Sequence, residues 1–298
     1  EEGDLHYKIL LTNSDKDSYL RLINNADSLQ SEPTSLLANN YKFFQRKIAE
    51  STISTDEIYK AINMLEIVDV SLDRRHDDPQ LIFDSLNSTG MDLSEPDRIR
   101  NYILMGLEPK AQKDLYEQYW HPMEESFGRE GYDTHFNWFV RDYLTIKNNG
   151  RIPKVGGVYE ALKAYAKGNT DESAVTLVSD MHRYSNYYIE LVLGWGQYTK
   201  EIKTAIEEIR MLRVGVAYPF LLQLLNDFDA DILQESHLLE ILNLVASYVF
   251  RRSICGIPTN SMNKTFATLG NEIRCDNYLN SVKSAFSQMD SYRRFPSN

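Results

Sequence analysis

The residues best suited to chemistry lie in one stretch, Ile82-Phe83-Asp84-Ser85-Leu86-Asn87-Ser88-Thr89-Gly90-Met91-Asp92-Leu93-Ser94-Glu95-Pro96-Asp97-Arg98-Ile99-Arg100-Asn101. Asn87, Ser88 and Thr89 bring an amide and two hydroxyls, and Arg98 and Arg100 bring guanidinium groups. Gly90 suits a left-handed helix C-cap, and Ser94 followed by Pro96 and Asp97 reads as a helix start with a Ser-x-x-Asp cap. Two helices meeting at such a polar corner would offer free backbone N–H groups and cations together, which is what holds a phosphate. Capping alone accounts for Gly90, Ser94 and Asp97. It leaves the Asn87-Ser88-Thr89 run unexplained.

Other catalytic patterns are missing. The sequence contains no P-loop, no glycine-rich dinucleotide fingerprint and no Gly-x-Ser-x-Gly elbow. Its six histidines, His6, His76, His121, His135, His182 and His237, lack the i, i+4 pairing of a zinc hydrolase helix. His76-Asp77-Asp78 could bind a metal loosely, but Asp77 close before Pro79 is better read as the N-cap of the next helix. No metal site is expected. Cys255 and Cys275 match neither a zinc ribbon nor a redox pair, and Cys255 beside Ile254 and Gly256 reads as a small buried residue.

The elements that must position these residues are almost all helical by periodicity. Helices are expected near 15–25, 34–50, 55–65, 77–88, 95–106, 110–127, 133–147, 156–168, 172–195, 199–212, 215–227, 234–252, 260–270 and 276–289. Ile232, Leu233, Leu238, Leu239, Ile241, Leu242, Leu244, Val245 and Val249 form a broad apolar face on a helix expected to be central to the core. Ile67-Val68-Asp69-Val70-Ser71-Leu72-Asp73 alternates and is rich in β-branched residues, so a strand is expected over 67–73. Its backbone needs a partner, for which Tyr7-Lys8-Ile9-Leu10-Leu11 is the nearest candidate. The fold class is therefore mainly α, a multi-helix domain with a small remnant strand.

Charge adds a second candidate surface. The net charge is −11 over 298 residues. From Phe250 to Asn298, seven Lys/Arg against three Asp/Glu leave +4, so residues 1–249 carry −15. Arg251, Arg252 and Lys264 in this basic end are candidates for DNA phosphate contacts, and docking onto an acidic neighbouring domain is the competing reading. No apolar run reaches the ~20 residues a bilayer needs, so no membrane partner is expected. The start Glu1-Glu2-Gly3-Asp4 lacks both an initiator Met and the basic opening of a secretory signal. A piece of a longer protein in a reducing cytoplasm is the resulting expectation.

The segment from Ile82 to Asn101 resembles the signature Phe-x-x-Leu-Asn-Ser-Thr-Gly-x-x-Leu-Ser-x-x-Asp-x-Ile-Arg-Asn of the GmrSD-like restriction proteins. The stretch Tyr248-Val249-Phe250-Arg251-Arg252-Ser253-Ile254-Cys255-Gly256-Ile257-Pro258-Thr259-Asn260-Ser261-Met262-Asn263-Lys264 is similar to a later helical part of the same proteins. The resemblance implies a ParB/sulfiredoxin-like N-terminal domain bearing an Asp-Gly-Gln-Gln-Arg motif and a C-terminal HNH-type nuclease domain; neither motif occurs in this sequence. It therefore implies that residues 1–107 are the end of a nucleotide-binding domain and 108–298 a helical bundle leading to the nuclease. Asn87, Ser88, Thr89, Gly90, Arg100 and Asn101 become the implied nucleotide or phosphate contacts, with Ser88 the less strict match and Arg98 at an open position of the signature. A nucleoside triphosphate with Mg is the implied cofactor of the full-length protein, and none is expected for this chain alone. Its implied partners are the flanking domains and DNA, and the implied role is phage defence without catalysis by this chain. The alternative is a helical scaffold or partner-binding module with no ligand of its own.

Overall fold

A cap followed by an apolar stripe repeats along the chain, and each repeat becomes a helix. In a computed structural model, residues 11, 13–24, 36–66, 82, 93–105, 107–168 and 173–296 are described. Among them no strand occurs, and the protein is mainly α. The strand expected over 67–73, most of its candidate partner Tyr7–Leu11, and the helix expected over 77–88, apart from a helical residue 82, lie outside the described residues.

The chain divides into two compact units, Glu1–Ser71 and Leu72–Asn298. The first contains α1 (Asn13–Asn24), α2 (Leu36–Ala49) and α3 (Thr55–Asn63). A capping box starts α3: the Ser54 N–H donates to Glu57 Oε2 at 3.0 Å, and the Glu57 N–H donates to Ser54 Oγ at 3.3 Å. Ala38 is buried there, whereas Phe43, Phe44, Ile48, Tyr59 and Ile62 are exposed.

The second unit begins its described part with α4 (Glu95–Leu104) and α5 (Pro109–Leu115). A π-turn at 116–120 leads into α6 (His121–Lys147), which breaks at Gly128 with φ 64° and ψ 166°. A side chain is strained at such a φ, so glycine makes the bend possible. The two helices expected over 110–127 and 133–147 are thus separated by a single residue. Then follow α7 (Val158–Gly168), α8 (Ala174–Leu193), α9 (Lys200–Met211), α10 (Tyr218–Asp229), α11 (Glu235–Ile254), α12 (Asn260–Leu269) and α13 (Tyr278–Ser287). The sequence-based domain boundary at 107/108 falls inside this unit, because α4 packs on α6 and α7.

Helix α6 is the hub, packing on α7, α8 and α10. Aromatic side chains fill that junction: Phe127, Phe136, Phe139 and Tyr188 have ring centroids 5.6–6.1 Å apart in contacting pairs, edge-on or tilted. The apolar stripe of α11 is buried at Leu238, Ile241, Leu242, Val245 and Val249, while Ile232 is exposed. Tyr278 of α13 donates to the buried Asp227 of α10 at 2.6 Å and ties the last helix to the core. Cys255 is exposed rather than buried. It caps the C-terminal end of α11, where the chain turns outward and Ile254 is exposed with it.

Candidate functional site

Ser94 starts α4 as its spacing predicts: Asp97 N–H donates to Ser94 Oγ at 3.3 Å, and Ser94 Oγ donates to Asp97 Oδ2 at 2.6 Å. Pro96 in the first turn fits a position whose N–H has no helical partner. Asn87, Ser88, Thr89 and Gly90 lie outside the described residues. The part of the corner that is described comprises Arg98, Arg100 and Asn101.

Both guanidinium groups are engaged by the protein itself. Arg100 Nη1 donates to Glu124 Oε1 at 2.9 Å and Nη2 lies 3.1 Å from Asp97 Oδ1. Glu124 also accepts from Trp120 Nε1 at 3.1 Å and from the Tyr116 hydroxyl at 3.2 Å. Tyr116 and Trp120, which meet on this carboxylate, are the first and last residues of the π-turn. Burial works against the charge on Arg100, but Glu124, Tyr132 and Asp97 outweigh it, and the guanidinium holds its proton more tightly than usual. Burial, then Glu124, likewise raises the Tyr116 hydroxyl. Arg98 lies over the Tyr159 ring, 4.0 Å from its centroid, and pairs with Glu160 at 3.8 Å. Asn101 differs: it is half-buried, and its side chain makes no hydrogen bond among the described residues.

The basic end resolves into unlike parts. Arg252 is 1% exposed. Its guanidinium donates to the carbonyls of Tyr292 and of Pro258, the latter at 2.7 Å, and to Ser261 Oγ at 2.9 Å. It therefore cannot reach DNA, and its assignment as a phosphate contact is corrected: a buried guanidinium keeps its charge and must find oxygen acceptors, which Pro258, Ser261 and Tyr292 supply from segments packed over the end of α11. Arg251 is half-buried, donates to the Pro296 carbonyl at 3.4 Å and lies 6.0 Å from the Phe295 ring centroid. Lys264 is exposed. Lys283 pairs with Glu240, which removes a further cation from the +4 balance.

A pocket of about 730 Å³ opens where α8, the segment after it and α10 meet, lined by Asn186, Tyr187, Trp195, Tyr198, Phe228 and Asp229 among others. No Lys or Arg lines it, and its one charge is the Asp229 carboxylate, so a phosphate would be repelled. Among the described residues no group of three His, Cys, Asp or Glu could hold a metal ion; His76, Asp77 and Asp78 lie outside them. No described helix is long and apolar enough to cross a membrane. The sequence reading missed Glu124. The Trp120-x-x-x-Glu124 spacing signals a shared helical face, but nothing local announces Arg100, 24 residues earlier.

The chain matches no family model, and no curated protein or solved structure is similar to it.

Proposed function

We propose that this chain is the helical, non-cutting part of a nucleotide-dependent DNA restriction protein, in which it carries the Asn87–Asn101 corner on a rigid platform. The observation that carries the reading is the resemblance of the run from Phe83 to Asn101 to the GmrSD-like signature, in which Asn87, Thr89, Gly90, Arg100 and Asn101 match position by position and Ser88 less strictly. Supporting the platform is the Arg100–Glu124 node, in which Asp97, Trp120 and Tyr116 also take part and which joins α4 to α6. With Arg100 occupied by two carboxylates, contact with a nucleoside triphosphate and its Mg falls to Asn87, Ser88, Thr89, Gly90 and Asn101. DNA phosphate contact falls to Lys264 and Arg251. The flanking domains supply hydrolysis and cutting.

A second reading is favoured by the same ion pairs. A helical scaffold without a ligand would also pair Arg100 with Asp97. Calorimetric titration of Mg–nucleoside triphosphate into the full-length protein separates the two, with a thermal melt of each variant. The restriction reading expects Asn101→Ala to weaken nucleotide about tenfold with an unchanged melting temperature, as loss of one well-made hydrogen bond does. A wild-type protein that takes up no nucleotide, or an Asn101→Ala variant of equal affinity, would leave the scaffold reading standing.

A further inference from the structure

A second pocket, of about 320 Å³, lies between α6, α8 and the start of α10. His135, Trp138, Arg141 and Asp142 reach it from α6, and Tyr188 and Tyr218 close it from α8 and α10. Positions 135, 138 and 142 share one helical face by their i, i+3, i+7 spacing. The volume is at the small end for ligand pockets.

Asp142 is the unusual member. It is 5% exposed, yet among the described residues no hydrogen bond reaches its carboxyl. Its nearest charge, Arg141 Nη1, is 3.9 Å away, beyond hydrogen-bond reach, and the Arg141 Nε–H is used on the Pro153 carbonyl at 3.1 Å. A buried polar group without a partner costs free energy, and here it borders open space that a ligand can enter. The remaining walls are the aromatic side chains of Trp138, Tyr188 and Tyr218 with Val192 and Val216, the two tyrosine rings meeting edge to face at 5.7 Å, which suits an aromatic ring.

We propose that this pocket binds a flat heteroaromatic ring through its amidine edge, a ring nitrogen beside an exocyclic amino group, paired with the Asp142 carboxyl and packed among Trp138, Tyr188 and Tyr218. The edge offers one acceptor and one donor, which a carboxyl group matches with two parallel hydrogen bonds. With the acid protonated, its O–H donates to the ring nitrogen and its other oxygen accepts from the amino group; with the acid ionised, the ring must carry a proton on that nitrogen, which then donates. A lactam edge pairs only with the protonated acid. Anionic ligands gain nothing at Asp142, and a purely apolar ring leaves the carboxyl unpaired. Cytosine and adenine carry this edge, whether in a free nucleoside or in a single strand. The site is distinct from the Asn87–Asn101 corner and does not depend on its role.

The test is a titration of the chain followed by NMR at the Trp138 indole. Its arms are cytidine, N4,N4-dimethylcytidine, in which the amino hydrogens are gone but the ring remains, and a short single-stranded oligo(dC). Saturable shifts are expected with cytidine, at least about tenfold weaker with the dimethylated ring, as expected for a lost hydrogen bond that leaves a buried partner. Tighter binding of oligo(dC) than of cytidine assigns the ring to a polynucleotide, and equal or weaker binding assigns it to a free nucleoside. Asp142→Leu should lose at least about tenfold in affinity while melting no lower than wild type, because an unpaired buried carboxyl has been removed. Asp142→Asn, which keeps one donor and one acceptor, should retain binding and covers the case in which the Leu variant does not fold. No saturable shift in any arm, or equal affinity for cytidine and its dimethylated form, overturns the proposal.

Discussion

Arg252 and Asp142 are both buried ionisable groups in the same unit, and the fold treats them in opposite ways. Arg252 has three oxygen acceptors around its terminal nitrogens, two of them carbonyls, and the Tyr248 ring 5.2 Å below its guanidinium carbon; only its Nε is left without a partner. Asp142 has no hydrogen bond among the described residues. A guanidinium cannot shed its charge in a protein, so burying it requires oxygen partners on most sides. A carboxyl can shed its charge by taking up a proton, and burial pushes Asp142 up to about 8 despite the opposing pull of Arg141. The first arrangement locks a chain end in place. The second leaves bonding capacity facing a cavity.

The comparison breaks most directly at Arg252. Arg252→Ala should destabilise the fold by about 3 kcal/mol or more, since several charge-assisted hydrogen bonds disappear and buried carbonyls lose their donor. A thermal or urea melt measures it. An unchanged melting temperature would mean that Arg252 is not the clamp on Pro258, Ser261 and Tyr292 that its contacts describe.

Asp142 is tested by pH. Its folded pKa, about 8, lies above the ordinary 3.8, so the folded state binds the extra proton between those values and stability falls as pH rises through that window. The slope approaches about 1.4 kcal/mol per pH unit for a single group. The titratable and charged groups around it are Arg141 and His135 on α6, Tyr188 on α8 and Tyr218 on α10, with both tyrosines raised by burial first and by Asp142 second. Asp142→Asn should flatten the wild-type decline between about pH 4 and pH 8 and gain stability toward its upper end. Parallel stability curves for the two proteins would show that Asp142 is ionised in the fold.

Arg100 stands between the two cases, being partly exposed and paired with carboxylates rather than carbonyls. Arg100→Ala should cost about 1–2 kcal/mol, less than Arg252→Ala because water screens part of the pairing. A double-mutant cycle with Glu124→Gln isolates the interaction, and additive effects of the two substitutions would remove the node as a support for the corner.

The smallest effect is expected at Lys264, which is exposed. In the full-length protein, Lys264→Ala should reduce the slope of log affinity for DNA against log salt by about one. Arg252→Gln should leave that slope unchanged. Equal loss of slope in both would return Arg252 to the DNA contacts.

Much of the fold is legible locally. The Ser94–Asp97 cap and the apolar stripe at Leu238, Ile241, Leu242, Val245 and Val249 appear where their spacing predicts, and the Ser54–Glu57 capping box starts the helix expected from 55; each is set by residues close to one another along the chain. The candidate site was less legible. Arg98, Arg100 and Arg252 read alike as cations suited to phosphate, yet they meet respectively a tyrosine ring with Glu160, two carboxylates, and backbone carbonyls.

The sequence by itself determined the helices, their caps and the faces they bury, because hydrogen bonds and side-chain neighbours within a helix reach only three or four positions along the chain. Only the tertiary structure decided which charges stay available. Glu124 reaches Arg100 across 24 residues, Tyr292 reaches Arg252 across 40, and the isolation of Asp142 depends on what α8 and α10 fail to offer it. Desolvation is a property of everything packed around a group, so the fate of a buried charge is written in no single stretch of the chain.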